Sequence, residues 1–81
     1  MFMYNIQYET GEVESISAKD MDALQNFLEK EKGYHISKIV PEIAPFFTQG
    51  DLVMFRGVIE CTKGIINTKL NYTSYKLPEN M

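Results

Sequence analysis

The two most reactive side chains of this 81-residue sequence belong to Cys61 and His35, its single cysteine and single histidine. A cysteine–histidine pair can act as nucleophile and base wherever a fold brings the two together, so their separation along the chain does not exclude one. Cys61 falls on the apolar side of an alternating segment, however, where cysteine usually packs as a small hydrophobic residue. The sequence therefore predicts no catalytic residue and no enzymatic activity.

Metal, phosphate and glycosidase chemistry each need clusters that the sequence lacks. No Cys-x-x-Cys or His-x-x-x-His spacing is present, which argues against a structural zinc site. The glycines stand singly at turn or packing positions, and no phosphate-binding loop contains them. Glycoside hydrolysis requires two carboxylates facing each other across a cleft, and a domain this small has little room for one. We predict no metal and no cofactor.

The acidic residues are concentrated in the first part of the chain. Residues 1–32 carry a net charge of −4 and residues 33–81 a net charge of +1, within a total of −3. A solvated surface is the ordinary interpretation, and an acidic patch that meets a basic surface on a partner is the more specific one. The acidic residues considered for such a contact are Glu9, Glu12, Glu14, Asp20 and Asp22.

Basic residues and tyrosines are interleaved towards the end of the sequence. They are Arg56, Lys63, Lys69, Tyr72, Tyr75 and Lys76. On a sheet, such residues could stack on and neutralise single-stranded nucleic acid. An ordinary exposed strand face explains them more simply, and the negative net charge disfavours a generally basic binder. Nucleic-acid binding is therefore the alternative function.

The first elements follow from the spacing of apolar residues. Alternation over residues 2–9 predicts a strand, Thr10-Gly11 a hairpin turn, and residues 12–17 a second strand. Val13 and Ile16 fall on opposite faces of that second strand. A bulge, or a strand end buried on both sides, would reconcile them.

A helix over residues 18–32 is predicted next. The Ser17 hydroxyl is placed to cap its first turn, with Asp20 in a capping-box position. Apolar residues then recur at spacings of three and four, and Gly33 supplies a left-handed stop.

The remainder of the chain reads as strands around a proline-broken connection. Residues 34–40 predict a third strand, Pro41 and Pro45 exclude a regular helix or central strand, and Thr48–Asp51 predicts a turn. A strand over residues 52–61, central or covered on both faces, precedes a turn at 62–64. A last strand from residue 66 can continue to 77, and residues 78–81 are expected to fray.

These elements predict a single α+β domain over residues 1–81. Its mostly antiparallel sheet has about five strands and one packed helix, in the order β-β-α-β-β-β. A small, partly closed β-barrel carrying one helix is the alternative architecture.

The adjacent Phe46 and Phe47 are the sequence's best candidates for a protein contact. Two phenylalanines in an irregular segment commonly plug a core, but an exposed one would anchor an interface, because buried aromatics dominate interface energies. Apolar residues on both faces of the strand at 52–61 also indicate a surface shared with a partner or a second copy.

Residues 16–60 resemble, in pattern, the small epsilon subunit of Firmicute RNA polymerase. The resemblance rests on a strand, on Ser17-Ala18-Lys19-Asp20 opening a helix, on Glu29–Lys32 ending it, and on the Ile36, Ile39 and Pro41 that follow. It implies a small acidic α+β protein that binds polymerase, and a phage polymerase inhibitor is similar in fold.

Taken together, the sequence predicts a small cytoplasmic protein-binding domain of phage or bacterial origin. No apolar run reaches the roughly 20 residues of a membrane helix, and the first residues lack the features of a signal peptide. We expect the domain to modulate or inhibit a host protein such as a nucleic-acid enzyme.

Overall fold

The computed structural model describes residues 1–78 and shows an α+β fold across them. One helix and six strands form there: β1 (Phe2–Gln7), β2 (Val13–Ala18), α1 (Met21–Lys32), β3 (Tyr34–Pro41), β4 (Phe47–Gln49), β5 (Leu52–Lys63) and β6 (Ile66–Lys76). The predicted class is confirmed, and the predicted element order matches apart from one additional strand. The sixth strand, β4, lies in the proline-broken connection, where a turn was expected from Thr48 onwards.

The strands form one antiparallel sheet in the order β2-β1-β6-β5-β3. The short β4 pairs with β5 as well, beyond the end of β3. β3 and β4 are therefore successive stretches along the same side of β5, separated by residues 42–46. Within residues 1–78 the sheet does not close into a barrel, so the alternative architecture is wrong.

The helix begins three residues later than predicted. Asp20 is the N-cap, and its carboxylate accepts a hydrogen bond from the Ala23 backbone N–H at 2.9 Å. Ser17 lies in β2 instead, because Ser17 and Ala18 continue the ladder with β1. The helix ends as predicted at Gly33, whose φ of 76° is left-handed and whose N–H donates to the Leu28 carbonyl.

The helix connects the two opposite sides of the sheet and covers one face of it. Its 12 residues span about 18 Å at 1.5 Å per residue, close to the roughly 19 Å between the first and fifth of five adjacent strands. Leu24 and Leu28 pack from the helix against the central-strand residues Ile6, Ile59 and Leu70. The core therefore lies between the helix and this face of the sheet, which we call the helix face.

The sheet also curls around the end of the helix. The rings of Tyr8, just after β1, and Tyr34, at the start of β3, stack with centroids 6.1 Å apart although two strands separate β1 from β3. The Lys32 ammonium lies 5.8 Å from the Tyr8 ring centroid. Aromatic contacts thus draw this end of the sheet together without strand pairing.

Three finer expectations differ from the structure or lie outside it. β2 pairs with β1 without a bulge, and Val13 is simply 64% exposed, whereas the shift in register occurs in β3 between Ile36 and Lys38. β5 is internal, as predicted, but the helix covers it on one face alone. The expected fraying at 78–81 lies, apart from Pro78, outside the described residues. No helix in the described part of the chain is long and apolar enough to cross a membrane.

Candidate functional site on the open face

The face of the sheet opposite the helix is the candidate site. Nothing within residues 1–78 packs on it, and we call it the open face. Residues that oppose each other in an antiparallel pair lie on the same face, so the strand registers assign its side chains in rows across the sheet. The open face carries an apolar row, a polar row and a shallow depression, in that order along the strands.

The apolar row runs across four strands. Met3 of β1 opposes Tyr75 of β6, Tyr75 opposes Met54 of β5, and Met54 opposes Phe47 of β4. Leu52, two residues before Met54, lies on the same face. We call this set together with Phe46 the apolar band: Met3, Phe46, Phe47, Leu52, Met54 and Tyr75.

A local bulge brings Phe46 into the apolar band beside Phe47. The Phe46 N–H donates to the Met54 carbonyl at 3.0 Å, so Phe46 and Phe47 both oppose Met54 of β5. The Arg56 guanidinium lies 5.1 Å from the Phe46 ring centroid. Phe46, Phe47 and Leu52 are 39%, 42% and 36% exposed. Both predicted phenylalanines therefore stand at the surface and outside the core.

The polar row borders the apolar band. Arg56 Nε lies 2.8 Å from a Glu42 carboxylate oxygen in a hydrogen-bonded ion pair. Next along the row, the Asn5 side-chain amide donates to the Thr73 hydroxyl at 3.2 Å and accepts from the Ser15 hydroxyl at 2.6 Å. These side chains satisfy one another, so this row is a preorganised polar margin and holds no uncompensated charge.

A depression of ≈ 580 Å³ begins at the polar row, since Asn5, Glu42, Arg56 and Thr73 line part of it. Asn71 lies on its floor, and Val13 and Val40 flank it from opposite sides of the sheet. A twisted sheet that is concave towards the helix along one diagonal is concave towards the other face along the second diagonal. The depression therefore follows from the same curl that wraps the sheet around α1.

Phe55 provides a contrast to the apolar band. It lies between Met54 and Arg56 in β5 and therefore points to the helix face, where it opposes Ser74. The helix does not reach this end of the sheet, and Phe55 is 41% exposed. Phe47 and Phe55 are thus equally exposed residues of one type on opposite faces.

The predicted acidic contacts do not form one patch. The Glu9 carboxylate accepts from the Tyr34 hydroxyl at 2.8 Å, and that of Glu14 accepts from the Tyr8 hydroxyl at 2.5 Å and lies 3.3 Å from Lys32. Asp20 caps the helix. Glu12 and Asp22 are exposed, in the hairpin and on the helix respectively.

The hydrogen bonds to Glu9 and Glu14 also change their acidity. The pKa of Glu9 is lowered, by its own backbone N–H and then by the Tyr34 hydroxyl. The pKa of Glu14 is lowered by the Tyr8 hydroxyl, with Lys32 adding to the effect. These two carboxylates therefore help to hold together the end of the sheet at which Tyr8 and Tyr34 stack.

The predicted nucleic-acid contacts are divided between the two faces. By strand register, Arg56, Lys69 and Tyr75 lie on the open face, and Lys63, Tyr72 and Lys76 lie on the helix face. Tyr72 is buried, Arg56 is paired with Glu42, and the Lys63 ammonium lies 5.1 Å from the Tyr34 ring centroid. The six residues do not share one surface.

Cys61 and His35 are also on different faces. Cys61 opposes Ile36 on the helix face, whereas His35 opposes Thr62 on the open face and is exposed. Cys61 is buried, and burial raises the pKa of its thiol, with Glu9 adding a smaller effect. The residues described include no group of three or more His, Cys, Asp or Glu side chains arranged to hold a metal ion.

Comparison with known proteins gives no family for the chain: no family model, no curated protein and no solved structure matches it. The resemblance to the polymerase epsilon subunit therefore stays a prediction from sequence pattern. Of the apolar band, the sequence singled out Phe46 and Phe47 and indicated a shared surface on the strand at 52–61, which contains Leu52 and Met54, but it missed the contribution of Met3. Alternation had already placed Met3 and Met54 opposite the core residues of their strands, but their meeting depends on β1 and β5 both flanking β6.

Proposed function

We propose that this protein is a non-enzymatic binding domain that docks on another protein through the apolar band. The observation that carries the proposal is that six apolar side chains form one continuous band on the face without a helix. The uncovered face of an antiparallel sheet is ordinarily polar, so apolar side chains gathered there need another explanation.

The composition of the apolar band and its margin supports this proposal. Aromatic residues, Met and Arg are enriched in the buried centres of protein interfaces, and the apolar band holds two phenylalanines, a tyrosine and two methionines beside Arg56. The polar row supplies hydrogen-bonding groups along one side of the apolar band, as in the polar rim of such a centre. Phe47 is the most exposed aromatic of the set and is the best candidate for an anchor.

We further propose that the partner is bacterial and that the domain modulates it by covering part of the partner's surface. A nucleic-acid enzyme is the first class to test, and bacterial RNA polymerase is the first member, because the sequence pattern of residues 16–60 resembles a polymerase subunit. The partner surface must itself be apolar at its centre, since the apolar band carries no net charge.

Capture from a bacterial lysate and from purified RNA polymerase tests the proposal with a matched pair of variants. Phe47→Ser removes an exposed ring from the apolar band, and Phe55→Ser removes an equally exposed ring from the helix face. We expect wild type and Phe55→Ser to retain one protein at stoichiometric yield and Phe47→Ser to lose it. Circular dichroism establishes that both variants are folded.

Two results would count against this function. One is recovery of no stoichiometric partner by the folded wild-type protein. The other is equal loss of the partner from both variants, which would move the contact away from the open face.

A further inference from the structure

The two outer edges of the sheet differ in how far they are protected against pairing with another strand. On the β3 side, the Glu42 N–H donates to the Arg56 carbonyl at 2.9 Å, so Glu42 bonds inward and Pro41, the residue before it, faces outward. Proline has no N–H to offer there. The irregular register at Ser37 and the loop at residues 43–45 interrupt the same edge further.

The β2 edge has none of these devices. Val13–Ala18 contains no proline and no lysine, and its register with β1 is unbroken over its full length. Its one charged residue, Glu14, is bonded within the chain to Tyr8 and Lys32. Charges, prolines and bulges are the usual means by which edge strands avoid intermolecular pairing. β2 is therefore a ready template for another strand.

Two backbone hydrogen bonds next to the strands identify which groups of β2 point outward. The Tyr8 N–H donates to the Glu12 carbonyl at 2.8 Å, so the even-numbered residues of β2 exchange hydrogen bonds with β1. The Leu77 N–H donates to the Met1 carbonyl, which directs the odd-numbered residues of β1 to β6, in agreement. Val13, Ser15 and Ser17 consequently direct their N–H and C=O groups away from the sheet.

We propose that β2 pairs antiparallel with β2 of a second copy of this chain, about a two-fold axis at Ser15. In this register Ser15 opposes Ser15 of the second copy, and Val13 opposes its Ser17. All three outward-facing residues of each copy then take part, which gives about six ladder hydrogen bonds. The two sheets become one, and the open faces of both copies lie on the same side.

Charge selects this register over its neighbours. An axis at Val13 would place Glu12 opposite Glu14, an axis at Glu14 would place two Glu14 residues together, and an axis at Ser17 would place Glu14 opposite Asp20. Like charges directly opposite destabilise a pair. An axis at Ile16 would place Glu12 opposite Asp20 and Val13 opposite Lys19, which lies outside the strand, and it forms fewer hydrogen bonds.

The protected β3 edge explains why the assembly stops at two copies. Pairing about a two-fold axis uses the β2 edge of both chains, so the edges that remain unpaired are the interrupted β3 edges. A second copy is therefore the occupant that the structure accommodates without further growth.

Analytical ultracentrifugation over a concentration series tests the dimer with variants of one residue. Ser17→Pro removes the outward N–H and leaves the bonds of β2 to β1 in place, whereas Ser17→Ala keeps that N–H and serves as the control. We expect a dimer for wild type and Ser17→Ala, and a dissociation constant raised about tenfold or more for Ser17→Pro. Thermal unfolding shows that each variant is folded.

Two double variants with altered charges test the register and test whether the pairing strand is β2 of a second copy. Val13→Lys with Ser17→Lys places lysines opposite each other at both ends and should give a monomer. Val13→Lys with Ser17→Asp places a lysine opposite an aspartate and should restore the dimer. Wild type that stays monomeric up to about 1 mM, a dimer equally strong in Ser17→Pro and Ser17→Ala, or equal behaviour of the two charged variants would each overturn the proposal.

Discussion

The ring of Tyr72 lies against the backbone of Gly57, its partner across β5 and β6, in the space where a side chain at residue 57 would stand. A Cβ added to Gly57 would be 2.7 Å from Tyr72 Cε2 and Oη and 2.6 Å from the Val40 carbonyl oxygen. These distances are shorter than any van der Waals contact. The absence of a side chain at Gly57 lets the Tyr72 ring pack directly against the backbone of β5.

Gly57→Ala should therefore destabilise the domain although alanine suits a strand better than glycine does. The methyl group meets backbone on one side and a buried ring on the other, and overpacking of this kind typically costs about 1–3 kcal/mol. Urea unfolding followed by circular dichroism measures the loss. Gly50→Ala is the comparison, because that glycine has open space around it and a φ of 59°, so backbone strain alone is added. A Gly57→Ala variant as stable as wild type would contradict the packing described for Tyr72.

Local sequence signals predicted the elements of this fold because each element has its own periodicity. Alternation marked β1, β5 and β6, and apolar spacings of three and four marked the helix. The strand order was beyond the same signals, since β1 pairs with β6 some 70 residues away through contacts that no local pattern encodes. The apolar band could not be predicted for the same reason, because Met3 and Phe47 belong to one surface only through the register of four strands.

The misplaced helix start has a similar physical cause. Ser17 and Asp20 are both good N-cap residues, and the sequence alone does not show how far the preceding strand extends. Pairing with β1 extends β2 through Ala18, so the first residue free to cap is Asp20.

Substitution of these two residues should therefore have unequal effects on stability. Asp20→Ala removes the acceptor for the Ala23 N–H and should cost about 1 kcal/mol, the usual value of an N-cap. Ser17→Ala should change stability by less than about 0.5 kcal/mol, as is usual at exposed positions. Thermal unfolding at a low, fixed protein concentration compares them, so that self-association does not contribute. Equal losses in the two variants would place the cap elsewhere.

Cys61 should be inert towards thiol reagents in the folded protein. Its side chain is buried on the helix face, its Sγ lies 3.8 Å from the Thr68 carbonyl oxygen, and burial raises its pKa and so reduces the reactive thiolate. We expect alkylation to be about a thousandfold slower than in urea-unfolded protein, because reaction requires opening of the core. His35→Ala should leave the rate unchanged, since His35 lies on the other face. Rapid labelling of native protein that slows in His35→Ala would instead indicate an activated cysteine.

The hydrogen bonds of Tyr34 to Glu9 and of Tyr8 to Glu14 should make the stability of the fold sensitive to acid. Glu9 and Glu14 have pKa values lowered from 4.5 by hydrogen bonds that include those from Tyr34 and Tyr8, so folding favours their ionised forms. Their contribution is fully present above about pH 4.5 and is lost as the pH falls through the lowered values. The Tyr8→Phe, Tyr34→Phe double variant keeps both stacked rings and loses both hydroxyl donors. Its melting temperature should lie below that of wild type at neutral pH and approach it as the pH falls towards 3. If the difference between the two melting temperatures did not change with pH over this range, the hydroxyl–carboxylate bonds would not stabilise the fold.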